Sequence, residues 1–149
     1  MKKIIICLVM LISIVGCKEK HEWKDNYQLT YFYLEDCSNC QHFRDNVIPA
    51  IKEEFNNHME IKAYNMDEED NFEEMKTAYE NHLNQIIDFD DEYYGYGPMV
   101  FLEDYIAILG AGNEDDYVEH LIRAIEGNEL NEPAEIETFY YLKDGKVKK

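Results

Sequence analysis

A single cysteine pair, placed where an apolar segment meets a helix-like stretch, constrains this chain more than any other feature. Cys37 and Cys40 are separated by Ser38 and Asn39, and they follow the apolar residues 29–34. Two cysteines on the first turn of a helix can close a small disulfide ring, and the helix amides stabilise a thiolate on the exposed one. The spacing therefore predicts redox chemistry. A stapled turn or half of a zinc site has the same spacing, and both alternatives stay open at this point.

The N-terminus has the pattern of an export signal. Residues 1–3 include two lysines and form a short basic region. Residues 4–15 form an apolar run that is short for a membrane span. The segment Ile14-Val15-Gly16-Cys17 resembles the bacterial lipobox, in which the cysteine is acylated after cleavage. The resemblance implies a lipoprotein signal peptide at 1–16 and a tether at 17–28 that carries lipid on Cys17. An ordinary cleaved signal and a short membrane anchor are the alternatives.

The number of cysteines limits the disulfides and metal sites that the exported domain can form. The chain has 4 cysteines. Cys7 would be lost with the signal and Cys17 would carry lipid, so that Cys37 and Cys40 are the thiols that remain. One pair in an exported domain can form a single bridge and cannot supply a four-cysteine zinc site.

The strong acidity excludes some partners. The formal net charge is −18 at pH 7, and binding to nucleic acid needs clusters of Lys and Arg that this chain lacks. The charge also repels an anionic membrane surface, so that lipid on Cys17 would have to hold the protein there. We expect a monomer with one small domain, no cofactor and no metal site. The acidic loop at 88–97 does not have the spacing of a calcium loop.

The periodicity of apolar residues predicts alternating strands and helices. The predicted strands are 29–34, 59–66, 99–102, 105–109 and 136–142, and the predicted helices are 38–57, 72–86 and 113–126. Pro49 should kink the first helix, because it lacks a backbone donor. Asn113 should cap the last helix and Gly127 should end it, with Val118, Leu121, Ile122 and Ile125 facing the core.

The order of these motifs resembles the thioredoxin superfamily. The cysteine pair opens the first core helix, residues 97–101 match the cis-proline segment before a hairpin, and residues 108–112 match the closing strand and its glycine. The resemblance covers 29–127 and implies an α/β fold: a three-layer sandwich with a central mixed sheet of about four strands flanked by helices. Residues 128–149 form a C-terminal extension with one further candidate strand. Tyr31 stands where many thioredoxins carry a buried carboxylate, and Ser38-Asn39 replaces their Gly-Pro.

The resemblance also implies roles for particular residues. Cys37 would be the catalytic nucleophile and Cys40 the resolving thiol, while Ser38, Asn39, Gly97 and Pro98 would bind the substrate. Gly97 would leave the substrate groove open, and Pro98 would follow a cis bond.

The predicted function is that of a lipid-anchored thiol-disulfide oxidoreductase on the outer face of a bacterial cell membrane. It would act on disulfides or dithiols of exported proteins and exchange electrons with an unidentified redox partner. The tyrosine-rich loop at 88–97 would select basic or neutral segments. The alternatives are a non-catalytic binding lipoprotein with a structural Cys37–Cys40 disulfide, and a carrier of soft metals. We expect His42 to be a surface residue rather than a base facing the thiols.

Lipid attachment at Cys17 can be tested directly. In the wild type, the mature protein should begin at an acylated Cys17 and fractionate with membranes, since at least two acyl chains are needed for lasting attachment. The Cys17→Ser protein should leave the membrane fraction. An unmodified Cys17 in the mass spectrum, or a Cys17→Ser protein that stays fully membrane-bound, would contradict the prediction.

Overall fold

The computed structural model describes residues 21–148. The predicted signal peptide at 1–16 and the lipidation site Cys17 lie outside the described residues. The elements, in chain order, are β1 Tyr27–Tyr33, α1 Ser38–His42, α2 Ile48–Phe55, β2 Met59–Asn65, α3 Phe72–Leu83, β3 Met99–Leu102, β4 Ile106–Leu109, α4 Glu114–Glu126 and β5 Thr138–Tyr141. A π-helical segment, Phe43–Val47, joins α1 to α2, and short 3-10 turns occupy Asn56–His58 and Asp91–Tyr93.

The strands form one open, mixed sheet in the order β2-β1-β3-β4-β5. β1 and β2 are parallel, and the other neighbours are antiparallel. The predicted α/β class is therefore confirmed. The sheet has five strands within the described residues, because the candidate strand of the C-terminal extension pairs with β4 as β5.

Helices cover both faces of this sheet. Alternate residues of β1 point to opposite faces: Leu29 and Tyr31 join a core with α2 and α4, whereas Phe32 joins a second core with α3. The burial of β3 and β4 is complete, since every residue of both strands is buried. β1 is thus an interior strand with helices on both faces, and Cys37 follows its carboxyl end.

The first predicted helix changes to a π-helical turn just before Pro49, where the sequence predicts a kink. Pro49 follows a π-helical segment in which the Ile48 amide donates to the Phe43 carbonyl, five residues back. Pro49 has no amide hydrogen and its ring would clash with the carbonyl four residues earlier, so that a wider turn just before it relieves the conflict. The helical backbone therefore continues from Ser38 to Phe55 without a gap.

Two helices differ from their predicted patterns. α3 ends at Leu83, and Ile86, predicted as part of its apolar stripe, instead forms an isolated bridge with Leu142. α4 is capped by Asn113 and ended by Gly127 as predicted. Its buried residues are Tyr117, His120, Leu121, Ile122 and Ala124. The predicted core residues Val118 and Ile125 are only partly buried, because the face that meets the sheet centres on Leu121.

The C-terminal extension is attached to the β4–α4 connection by a buried carboxylate. Glu137 accepts hydrogen bonds from the amides of Gly112 at 2.7 Å and Ala134 at 3.1 Å, and it lies 3.4 Å from Nε2 of His120. Burial raises the pKa of Glu137, but the hydrogen bonds with His120 and the two amides outweigh it and hold the pKa below its usual value. The extension is thereby fixed against the loop that precedes α4.

An ion pair joins α3 to the turn between β3 and β4. The His82 ring donates from Nδ1 to the Ala78 carbonyl at 2.6 Å and from Nε2 to the Glu103 carboxylate at 2.9 Å. Only the protonated ring can donate from both nitrogens. Burial lowers the pKa of His82, yet the hydrogen bonds with Glu103 and Ala78 outweigh this effect and raise it overall. The folded state therefore favours the charged ring.

This arrangement predicts a pH dependence of stability. The pKa of His82 is raised on folding, so its contribution is fully present below the unfolded pKa of about 6.5 and is lost as pH rises through the folded pKa. In urea unfolding, the free energy of unfolding of the wild type should fall by about 1 kcal/mol as pH rises from about 6.5 through the folded pKa of His82. The Glu103→Gln protein should not show this loss. Parallel pH profiles for the two proteins would contradict the assignment.

Candidate thiol site

Cys37 forms the cap at the start of α1. Its backbone is extended, with φ −88 and ψ 116, and its sulfur accepts a hydrogen bond from the Cys40 amide at 3.2 Å. The same thiol donates to the carbonyl oxygen of Gly97 at 3.3 Å. Cys37 is partly exposed. Its sulfur is thus held between the helix start and the chain that enters β3.

Cys40 lies one turn deeper and is only 1% exposed. Burial raises the pKa of Cys40 to about 12, with further contributions from its hydrogen bond with Cys37 and from the negative charge of Asp67. Near neutral pH, Cys40 is therefore a protonated thiol. The two sulfurs differ in exposure in the sense that the sequence predicts for a nucleophile and a resolving thiol.

Gly97 and Pro98 lie directly against the sulfurs. The Gly97–Pro98 peptide bond is cis, as the resemblance implies, and Pro98 is buried. The Pro98 carbonyl accepts a hydrogen bond from the Gly110 amide at 2.9 Å. This bond joins the start of β3 to the end of β4 beside the cysteines.

A side chain at Gly97 would point toward Cys40. A Cβ atom at Gly97 would lie 2.9 Å from the Cys40 sulfur, 3.4 Å from the Phe32 carbonyl oxygen and 3.5 Å from Cε of Met66. The space is already filled. Glycine lets this segment approach the Cys40 sulfur closely, and a larger residue would require that sulfur to shift.

The predicted substrate-binding residues of the first turn are placed at the surface. Ser38 is exposed and Asn39 is partly buried, between the two cysteines. The structure therefore brings all six predicted site residues of the described chain into one region: Cys37, Cys40, Ser38, Asn39, Gly97 and Pro98.

His42 does not face the thiols. Its Nε2 donates to the Gly112 carbonyl at 2.7 Å, and its Nδ1 accepts from the Asn46 amide at 3.0 Å. Both ring nitrogens are thus occupied on the side of the β4–α4 connection. His42 is partly buried and anchors that connection, which excludes the role of a base at the sulfurs.

Asp67, which no sequence motif indicates, lies beside the site. Asp67 accepts a hydrogen bond from the Glu35 amide at 2.8 Å, and Asn65 donates to the Glu35 carboxylate at 3.0 Å. These bonds join the end of β2 to the loop before Cys37. Because β1 and β2 are parallel, their carboxyl ends meet at the same edge of the sheet. That rule could have indicated Asp67 from the sequence.

Tyr31, at the position where the sequence resemblance would place a carboxylate, carries no charge. Its side chain is buried and packs on Phe43 with ring centroids 5.1 Å apart. Burial raises the pKa of Tyr31, so that it stays a neutral phenol. The carboxylate that influences Cys40 comes from Asp67 instead.

Comparison with protein-family models, with curated proteins and with solved structures finds no match to this chain. Among residues 21–148, no helix has both the length and the apolar character needed to cross a bilayer. Within the same residues, no three His, Cys, Asp or Glu side chains converge as potential metal ligands.

The contact between Gly97 and Cys40 predicts an energetic coupling. Gly97→Ala should lower the free energy of unfolding by about 1 to 3 kcal/mol, because the new methyl group meets a buried sulfur. The same substitution in a Cys40→Ala background should cost clearly less, since the nearest obstructing atom is gone. Urea denaturation of the four proteins measures this. An equal cost in both backgrounds would show that the close approach does not limit residue 97.

Proposed function

We propose that this protein is a thiol-disulfide oxidoreductase of the thioredoxin superfamily, held by lipid on Cys17 at the outer face of a bacterial cell membrane. One observation carries the proposal. The partly exposed Cys37 and the buried Cys40 lie one turn apart, and the Gly97–Pro98 segment packs against both. This is the arrangement that sequential attack on a protein disulfide requires.

The topology supports the assignment to this superfamily. The cysteine pair follows a central strand whose neighbours are the parallel β2 and the antiparallel β3. The Gly97–Pro98 segment enters the β3–β4 hairpin, and α4 follows a glycine-containing turn. Each of these features stands where the sequence resemblance requires it. β5 is an addition to that four-stranded pattern.

The chemistry balances as a transfer of two electrons. The Cys37 thiolate attacks one sulfur of a substrate disulfide, so that a Cys37–substrate disulfide forms and the other substrate sulfur leaves as a thiolate. The Cys40 thiolate then attacks the Cys37 sulfur and releases the second substrate thiol. The protein is left with a Cys37–Cys40 disulfide, and a dithiol of a redox partner restores the reduced pair by the reverse exchange. In the oxidase direction, the same steps run backwards.

Formation of the Cys37–substrate disulfide favours the later attack by Cys40. In the reduced protein, the hydrogen bond and the potential negative charge of Cys37 both raise the pKa of Cys40. Once the Cys37 sulfur is in a mixed disulfide, it carries no negative charge, and that contribution disappears. Burial and the negative charge of Asp67 still raise the pKa of Cys40 at that stage.

The N-terminal residues of the domain fit a short tether. Trp23 stacks on Phe55 with centroids 4.6 Å apart and donates to the Glu54 carbonyl at 3.2 Å. From Cys17 to this anchored Trp23 the chain can span at most roughly 20 Å. Lipid on Cys17 would therefore hold the domain near the membrane surface, where exported proteins emerge. The thiol site lies at the opposite end of β1 from Trp23, which contacts Tyr27 at the start of that strand.

Trapping of mixed disulfides tests the function. Cys40→Ser should retain exported proteins as mixed disulfides through Cys37, because no buried thiol remains to resolve them. Cys37→Ser should trap none, and the double Cys37→Ser, Cys40→Ser protein is the matched control. Non-reducing electrophoresis with mass spectrometry of the linked peptides gives the readout.

Two results would contradict the proposed roles. One is faster alkylation of Cys40 than of Cys37 in the reduced wild type. The other is unchanged activity of both single variants, which would favour a binding lipoprotein with a structural bridge.

A further inference from the structure

An apolar groove opens beside the thiol site, and the proposed function does not yet use it. Its volume is about 390 Å³, near the lower end of the range for ligand pockets. Its walls come from the ends of β1 and β2, from α3 and from the loop before β3. The lining residues are Leu34, Met66, Phe72, Met75, Lys76, Tyr79, Tyr94 and Gly95.

The groove adjoins the sulfurs. Cε of Met66 lies 3.5 Å from the position that a Cβ of Gly97 would take, and the Cys40 sulfur lies 2.9 Å from the same position. Leu34, on the opposite side, accepts a hydrogen bond from the Cys37 amide at 3.4 Å. A segment bonded to Cys37 can therefore place a neighbouring side chain in the groove.

The groove is preformed because the loop is fixed to α3. The Gly95 amide donates to the Tyr79 hydroxyl at 3.0 Å, and the Tyr94 hydroxyl donates to the Glu80 carboxylate at 3.3 Å. The rings of Tyr79 and Tyr94 pack edge to face, 5.3 Å apart. No ordering of the loop is then needed on binding, which favours affinity.

Apolar surface is exposed at the groove and would be buried by an occupant. Phe72 is 44% exposed and Tyr94 is 48% exposed. Removing such surface from water is favourable in proportion to its area. The volume suits one or two large side chains and does not suit a folded surface.

The charges around the groove are mostly negative, and they would affect which substrate segments bind there. Asp67, Glu68 and Glu69 form a second, shallower depression that shares Met66 and Phe72 with the groove. Lys76 is the one basic residue among the lining residues of both depressions. Acidic rims favour basic partners and repel acidic ones, most strongly at low salt.

We propose that this groove binds an aromatic or large aliphatic side chain next to the reacting cysteine of an extended substrate segment, with Lys or Arg rather than Asp or Glu around it. The proposal rests on the proposed function and specifies its substrate class. Phe72 and Tyr94 are the specificity-determining residues, and the rim carboxylates set the preference for charge.

Short peptides with one cysteine, bonded to thionitrobenzoate as a mixed disulfide, test the proposal. They carry either Phe or Ser beside the cysteine and either Lys or Glu on the flanks. The protein is purified in detergent from cells that express the full chain, and is then reduced. Release of thionitrobenzoate is followed by absorbance. The mixed disulfide of mercaptoethanol and thionitrobenzoate serves as the small substrate, because it has the same leaving group as the peptides and no side chain beside the reacting sulfur.

The Phe peptide with Lys flanks should react roughly tenfold faster than the Ser peptide. Glu flanks should slow the reaction, and salt should reduce this difference. Phe72→Ser should abolish the advantage of Phe and leave the rate with the small disulfide unchanged, whereas Phe72→Leu should keep most of the advantage. Ile87→Ser removes a similarly exposed side chain, 40% exposed, outside the groove, and should change none of the rates.

The outcomes separate the two proposals. Equal rates for Phe and Ser peptides, with normal reaction of the small disulfide, would overturn the groove and leave the oxidoreductase intact. Equal slowing of the peptides and the small disulfide by Phe72→Ser would assign Phe72 a structural role and also overturn the groove. A reduced protein that reacts with none of the disulfides would overturn both.

Discussion

The close approach of the Gly97–Pro98 segment to the two cysteine sulfurs is the constraint on which the rest of the site depends. The Cys37 thiol donates to the Gly97 carbonyl, and the Cys40 sulfur fills the space where a side chain at Gly97 would lie. β3 begins directly after this segment and is buried along its whole length. The position of the segment is therefore set by the sheet, and the sheet positions it against the helix that carries the cysteines. Exposure of one sulfur and burial of the other follow from this packing.

Burial gives the two thiols different tasks. Cys40 is only 1% exposed, so outside reagents cannot easily reach it. Burial also disfavours its charged thiolate form and raises the pKa of Cys40 to about 12. In the proposed function, a substrate would therefore react first at Cys37, and Cys40 would react with a sulfur already bonded to Cys37. Tyr31 supplies no carboxylate beneath the pair, so that the nearby charge comes from Asp67 at the end of β2. The site thus combines a familiar pattern of cysteines with a different source of negative charge.

Local features of the fold could be predicted from the sequence, and features made by distant contacts could not. The β3–β4 hairpin, the Asn113 cap and the Gly127 end of α4 depend on neighbouring residues, and all three are present. The π-helical turn before Pro49 was anticipated only as a kink. Glu137 was not predicted as a buried residue, because its partners Gly112 and His120 meet it only after β5 has joined the sheet. The groove was missed for the same reason, since its walls come from four separate parts of the chain.

A redox titration of the Cys37–Cys40 pair tests the central claim most directly. The protein is equilibrated in buffers of defined thiol and disulfide content, and the reduced fraction is measured by alkylation and mass spectrometry. The account predicts a single two-electron transition, in which the ratio of reduced to oxidised protein changes tenfold for every roughly 30 mV. The midpoint should lie between about −120 and −270 mV, which is the range of thiol-disulfide oxidoreductases. A pair that stays oxidised below roughly −300 mV would behave as a structural bridge and would contradict the account.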